Sequence, residues 1–256
     1  MSLVRIRNVD EYTYVHSMSV SIIMLTFGKY LGFEPQQLKE IGVGGMLHDI
    51  GKMKIPAGIL KKKVPLTDTE YDIVRGHVDH GRTLLEETKG VTEKSVLLAS
   101  QHHERVDGTG YPRRLKAVEI EKFAQMAAIA DVYDAMTSQR CYQRKYEPTE
   151  VLKKLYEWSD SLFDKELVQH FVRCIGIYPV GTLVRLDSHM LGVVISHGVE
   201  SLLKPVVRIV YDIKNRRYVT PCDVDLSQPE GKGGEYRILS YASQDQWNIN
   251  PGHYLS

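Results

Sequence analysis

Apolar residues in roughly the first 176 positions recur at helical spacing. Tyr12, His16, Val20, Ile23 and Phe27 follow at intervals of three and four, one face of a helix. Pro35 suits a first helical position, and the pattern runs on through Leu38, Ile41 and Leu47. Thr67 with Glu70 matches a capping box and predicts a helix start there. Helices are predicted again over about 92–102 and 119–137, with further starts at Pro148 and Asp164 and a stop at Gly176.

After Ile177 the texture changes. TLVRL, GVVIS, PVVRIVYDI, RRYVTP and EYRIL are short and rich in β-branched residues, with turn formers at Gly198, Asn215 and Gly231–Gly234. They predict about five strands, read as a little barrel. The expected division is therefore a helical domain over 1–177 and a small β domain, of unassigned role, over 178–256.

Composition narrows the partners. A chain of 256 residues with net charge +1 carries no broad field for a nucleic-acid polymer or a membrane surface. The most apolar early run, Val20 to Phe27, is too short to cross a bilayer, so no membrane insertion of this segment is expected. Cys141, Cys174 and Cys222 are far apart and odd in number, which excludes a disulfide framework and fits a reducing cytoplasm. The abrupt entry into a helical pattern suggests a segment of a longer protein.

The chemistry lies in His16, His48, Asp49, His77, His102, His103 and Asp131. The gaps are 32 residues from His16 to His48, 29 to His77, 25 to His102, and 28 from His103 to Asp131. Each gap is about one helix and its return, so successive helices can present ligands to one interior. A lone interior histidine is more often a hydrogen-bonded core residue. Likewise, His48-Asp49 with Gly51-Lys52 alone reads as a helix end with its glycine and dipole-matched lysine. The seven in register shift the reading to metal. Imidazole suits borderline transition metals, and a carboxylate can bridge two ions. Five histidines and two aspartates exceed one tetrahedral site and suit two metals with open positions. Such a pair can generate a nucleophile from water and neutralise both oxygens of a phosphoryl transfer. His80, His170, His189, His197 and His253 stand outside the pattern and read as structural or exposed, and Lys61-Lys62-Lys63 as a solvated face.

MLHDIGK resembles the HD signature of metal-dependent phosphohydrolases. Together with HHERVDGTGYP and ADVYDAMTSQR it resembles the HD-GYP family, bacterial phosphodiesterases that hydrolyse cyclic di-GMP, over about residues 10–176. The resemblance implies a mainly α fold, an HD-type helical bundle around a binuclear site, here with an all-β C-terminal appendix. One ion would be held by His16, His48, Asp49 and Asp131, the other by Asp49, His77, His102 and His103, with Asp49 the bridge. Some members add a third metal through a glutamate four residues before the first histidine. Tyr12 stands there in this chain, and Glu11 lies roughly 100° away around the helix. Two divalent ions are therefore expected, iron or manganese by resemblance, while the ligand types also admit zinc, nickel or cobalt.

By the same resemblance Lys52 assists catalysis at the scissile phosphate beside Asp49, and Arg140 grips a substrate phosphate. Asp134 either contacts a guanine or orients Arg140. Cys141 stands where the family more often has proline, and Arg144 supplies the charge common near Gln143. Gly108 and Gly110 make a turn, and Gly110 and Tyr111 line the substrate pocket or receive a signalling partner. The implied activity is metal-dependent hydrolysis of cyclic di-GMP to linear pGpG, GMP or both. The alternatives are a catalytically weak sensor and a phosphodiesterase for another cyclic dinucleotide such as cyclic GMP-AMP. The resemblance also implies a regulatory input upstream.

Overall fold

The structure, a computed structural model, describes residues 11–138, 146–198, 201–229 and 233–255. By their contacts the residues divide into two compact units, 1–146 with 150–174 and 147–149 with 175–256.

The first unit is helical: α1 (Glu11–Tyr30), α2 (Pro35–Leu47), a 3-10 turn (Ile50–Lys54), α3 (Ala57–Leu60), α4 (Asp68–Arg75), α5 (His77–Glu86), α6 (Glu93–Gln101), α7 (Lys122–Thr137), α8 (Pro148–Glu157) and α9 (Lys165–Ile175). Local chemistry sets several of these bounds. Thr67 Oγ1 accepts from Glu70 N, and the Glu70 carboxylate accepts from Thr67 N, the reciprocal box that starts α4. Thr92 Oγ1 caps α6 by accepting from Ser95 N. The helix predicted from residue 119 begins at Lys122 instead, because Glu121 caps it and a short 3-10 turn, Ala117–Glu119, precedes it.

On α1 the stripe of His16, Val20, Met24 and Phe27 is buried, while Tyr12 and Ile23 are half-buried. α1 packs on α2 and α7, α6 on α2 and α7, and α5 on both α6 and the 3-10 turn. Phe27 and Tyr133 each pack edge-on against Phe171. The chain of contacts α1–α2–α6–α5 and α1–α7–α6 brings the ligand-type residues of five segments together.

The second unit is a five-stranded antiparallel sheet of β1 (Leu183–Leu186), β2 (Met190–Ser196), β3 (Val206–Asp212), β4 (Arg217–Asp225) and β5 (Ile238–Tyr241), in the order β4-β3-β2-β1-β5. All five predicted strands are present, but the barrel is not. β4 and β5 are the two outer strands, unpaired with each other among the described residues. Alternation along the strands gives each face its own core. One holds Val184, Leu186, Val194 and Val207, the other Leu183, Leu191, Val193 and Val210. The short helix α10 (Gln244–Trp247) supplies Trp247 to the second. No described helix is long and apolar enough to cross a membrane.

A candidate metal centre

His48, His77 and His102 share one local design. Each ends or begins a helix, and each Nδ1 lies 2.7 Å from the carbonyl three residues earlier: Gly45, Val74 and Ala99. A carbonyl only accepts, so Nδ1 carries the proton and Nε2 of the neutral ring carries the lone pair. All three Nε2 atoms are buried and lack a hydrogen-bond partner among the described residues, as does Asp49 Oδ1. His77 Nε2 stands 3.2 Å from Asp49 Oδ1, and His48 Nε2 3.3 Å from Asp49 Oδ2. Acceptors buried against acceptors are costly unless a cation lies among them. Backbone-anchored Nδ1 atoms are also the usual support of metal-binding imidazoles.

Two ligand sets follow from distance. Asp49, His77, His102 and His103 offer one atom each, all within 4.8 Å of one another, and so do His16, His48 and Asp49. Asp49 belongs to both. Asp131 sits beside the second set, its Oδ1 2.9 Å from His16 Nε2 and 3.9 Å from His48 Nε2. The structure thus brings together the residues that the resemblance grouped, Asp131 lying outside the second set and hydrogen-bonded to His16. Tyr12 lies parallel to the His16 ring, and Glu11 is exposed.

Electrostatics follow the packing. Burial alone would pull the Asp49 carboxyl upward, but Lys52, whose Nζ is 2.6 Å from Oδ2, leads the groups that hold it well below the carboxylate range. Asp131 is likewise kept well below by its hydrogen bond to His16, against burial. Burial, reinforced by neighbouring imidazoles, pushes His102 and His103 well below the usual histidine value. Burial would also lower His16, yet its hydrogen bonds to Asp131 and Asp134 outweigh this and raise it to about 9.

Asp134 is only 5% exposed, with Oδ2 2.6 Å from His16 Nδ1 and Oδ1 accepting from Ser138. Its carboxylate is therefore a partner of His16 rather than of a guanine. Arg140, Cys141, Gln143 and Arg144 lie outside the described residues.

The loop after the histidine pair is tied to it. Glu104, which had no assigned role, is 2% exposed and accepts from the backbone N–H of Arg113 (2.8 Å) and Leu115 (2.9 Å). Tyr111 N donates to His103 O. Gly110 closes the fold-back: a Cβ there would meet Arg105 N at 2.4 Å and Glu104 Cα at 2.5 Å, so no other residue fits. The Tyr111 ring stacks on His103 at 4.6 Å. The signal for Glu104 was its place: a carboxylate directly after two interior histidines needs donors of its own.

Known proteins resemble this chain in sequence and in fold. The HD domain matches residues 6–167. A cyclic di-GMP phosphodiesterase of Pseudomonas aeruginosa is 40% identical over 97% of this chain, which spans 59% of that relative. A 3'3'-cGAMP-specific phosphodiesterase of Vibrio cholerae is 34% identical over 64% of this chain, which covers 38% of it. Among solved structures, an HDGYP-type protein of Bdellovibrio bacteriovorus aligns with 62% of this chain and 51% of its own at TM-score 0.53 and 20% identity. The PgpH HD domain of Listeria monocytogenes, solved with cyclic di-AMP, aligns with 67% of this chain and 92% of its own at TM-score 0.51 and 18% identity. These last two likenesses concern the fold.

Proposed function

The chain belongs to the HD domain family, and on that basis we propose that it is a metal-dependent phosphodiesterase that opens cyclic di-GMP to linear pGpG, with GMP the product of a second cut. The observation that carries this reading is the set of buried acceptors, His48, His77 and His102 Nε2 with Asp49 Oδ1, gathered around one carboxylate and without hydrogen-bond partners among the described residues. The cyclic di-GMP assignment draws on the Pseudomonas relative.

Two divalent ions fit, with His16, His48, Asp49 and Asp131 on one and Asp49, His77, His102 and His103 on the other. Bound there, they would supply an activated water and charge neutralisation for phosphoryl transfer. Iron or manganese suits the mixed imidazole and carboxylate set, and zinc, nickel and cobalt are the competitors. The protein's own part is positional. Asp49 is held ionised beside Lys52 and so is ready to bridge. Lys52, a quarter exposed, carries its charge from the buried carboxylate toward the rim, where the scissile phosphate and the leaving oxygen need it. To serve as a ligand, His16 would have to give up the proton on Nε2, so binding of a cation there would be coupled to proton release. Arg140 and Arg144 are the phosphate contacts of this reading. The three isolated cysteines suit work in the bacterial cytoplasm. The helical domain over 1–177 carries all the named residues, and the GYP loop is the surface for a signalling partner.

Anaerobically purified protein should carry close to two equivalents of iron or manganese and turn over cyclic di-GMP. Asp49→Ala should lose both the metal and the hydrolysis. A fully active, metal-free Asp49→Ala protein would sink the proposal, and tight binding without product would favour a sensor. The Vibrio relative supports cyclic GMP-AMP as a second substrate, and competition between the two dinucleotides decides their order.

A further inference from the structure

Beside the candidate metal centre lies a cleft of about 510 Å³ that none of the ligand-type residues lines. It abuts the centre twice: through Gly76, which precedes His77, and through Tyr111, which stacks on His103. Its volume is that of a small-molecule site.

Three features of its walls bear on what it holds, Asp79 and Arg114 both being open to solvent. The Arg75 guanidinium lies against two aromatic rings, 4.7 Å from the centroid of Tyr71 and 5.1 Å from that of Tyr111. The Tyr111 ring is also stacked on His103, so Arg75 and His103 already lie against it and it forms a fixed wall of the cleft. Arg114 holds a left-handed backbone, φ +56°, where glycine would be cheaper. Its guanidinium makes no hydrogen bond or ion pair among the described residues. The Asp79 carboxylate is also without a partner among them, while Asp72 is occupied by Arg75 at 3.6 Å. The cleft thus offers one free two-oxygen acceptor and one free fork of donors beside a fixed aromatic wall.

That combination matches one base. Guanine presents two adjacent donors, N1–H and the 2-amino group, and two adjacent acceptors, O6 and N7. A carboxylate takes the first pair and an arginine fork the second. Adenine lacks the 2-amino group and has an acceptor at N1, so it would set a lone pair against a carboxylate. We propose that this cleft seats one guanine base of the substrate, with Asp79 accepting from N1–H and the 2-amino group and Arg114 donating to O6 and N7. The proposal rests on the phosphodiesterase reading above, because it places the base next to the phosphate that the centre would hold. The ordinary role of Asp79, an acid in the first turn of α5, would favour the helix but not discriminate between bases.

Binding of 5'-GMP and 5'-AMP to the full chain, measured by calorimetry, tests the cleft directly. The wild type should bind GMP at least about tenfold more tightly than AMP. Asp79→Asn, which sets an amide where the carboxylate was, and Arg114→Ala should each erase most of that preference. Both variants should keep the wild-type metal content and turnover of bis(p-nitrophenyl) phosphate, which has no base. In the same variants kcat/KM for cyclic di-GMP should fall about tenfold while that for cyclic di-AMP changes little. Equal affinity for GMP and AMP, or a GMP preference that survives Asp79→Asn, would overturn the proposal. So would an equal loss on both dinucleotides and on bis(p-nitrophenyl) phosphate. A wild type that prefers GMP but hydrolyses no cyclic dinucleotide would leave the cleft standing and refute the phosphodiesterase reading.

Discussion

His16 is gripped from both sides by one helix. Asp131 and Asp134 lie one turn apart on α7 and so share a face, the first meeting Nε2 and the second Nδ1 of the same imidazole. The roles divide accordingly. Nε2 and the Asp131 carboxylate face the centre, while Asp134 sits behind and fixes which way the ring points. Removing such an outer partner usually costs about ten- to a hundredfold in metal affinity or activity. Asp134→Ala should therefore weaken binding of the first ion by about that factor, seen in metal titration, with far-ultraviolet circular dichroism unchanged. Unchanged metal affinity would show that the ring needs no orienter. The i,i+3 spacing of the two aspartates was legible in ADVYDAM. What it could not tell was that both would turn to a histidine 115 residues or more away, because only the packing of α1 on α7 brings that ring between them. Which donors Glu104 meets was opaque for the same reason, since they come from a loop that folds back only in three dimensions.

At the scale of elements, the helices were legible wherever a cap or an apolar stripe marks them, as at Thr67, Pro35 and along α1. The reading of Gly51 was not. It looked like a helix-ending glycine, whereas it lies in the 3-10 turn, where a Cβ would fall 1.8 Å from His77 O and 2.5 Å from Gly81 N. Its purpose is close approach of the turn to the start of α5, which brings Asp49 to His77. Gly51→Ala must push that turn away from α5. Overpacking of this kind costs about 1–3 kcal/mol, so chemical denaturation should show a loss of that size or more. Because the displaced element carries Asp49 and Lys52, metal occupancy should fall in the same variant. Full stability with full occupancy would show that α5 can yield at no cost. The β strands were legible from their branched residues, but their closure was not. Whether β4 meets β5 depends on strand twist and on pairings far apart in sequence, to which alternation within a strand is blind.

The whole molecule separates chemistry from the sheet. Every residue of the two ligand sets, Asp131, Lys52, Glu104 and the cleft residues falls between His16 and Asp134, all within the helical unit. The sheet has two apolar cores of its own, one on each face, and β1, β2 and β3 contribute to both. A sheet covered on both faces by its own residues needs no outside partner for its hydrophobic surface. The helical unit likewise has its own core around Phe27, Leu98, Ile129 and Phe171. Domains with separate cores fold separately as a rule. The chain spans 59% of the Pseudomonas relative. A chain ending at residue 177 should accordingly fold, keep the metal stoichiometry of the full chain and hydrolyse cyclic di-GMP at a similar rate. Three results discriminate. Loss of metal would place a structural support for the centre in the sheet. Loss of turnover with metal and helicity intact would make residues 178–256 part of the substrate site. Retention of both leaves the sheet free for a role outside the chemistry, and binding of this isolated unit to candidate partners becomes the measurement that follows.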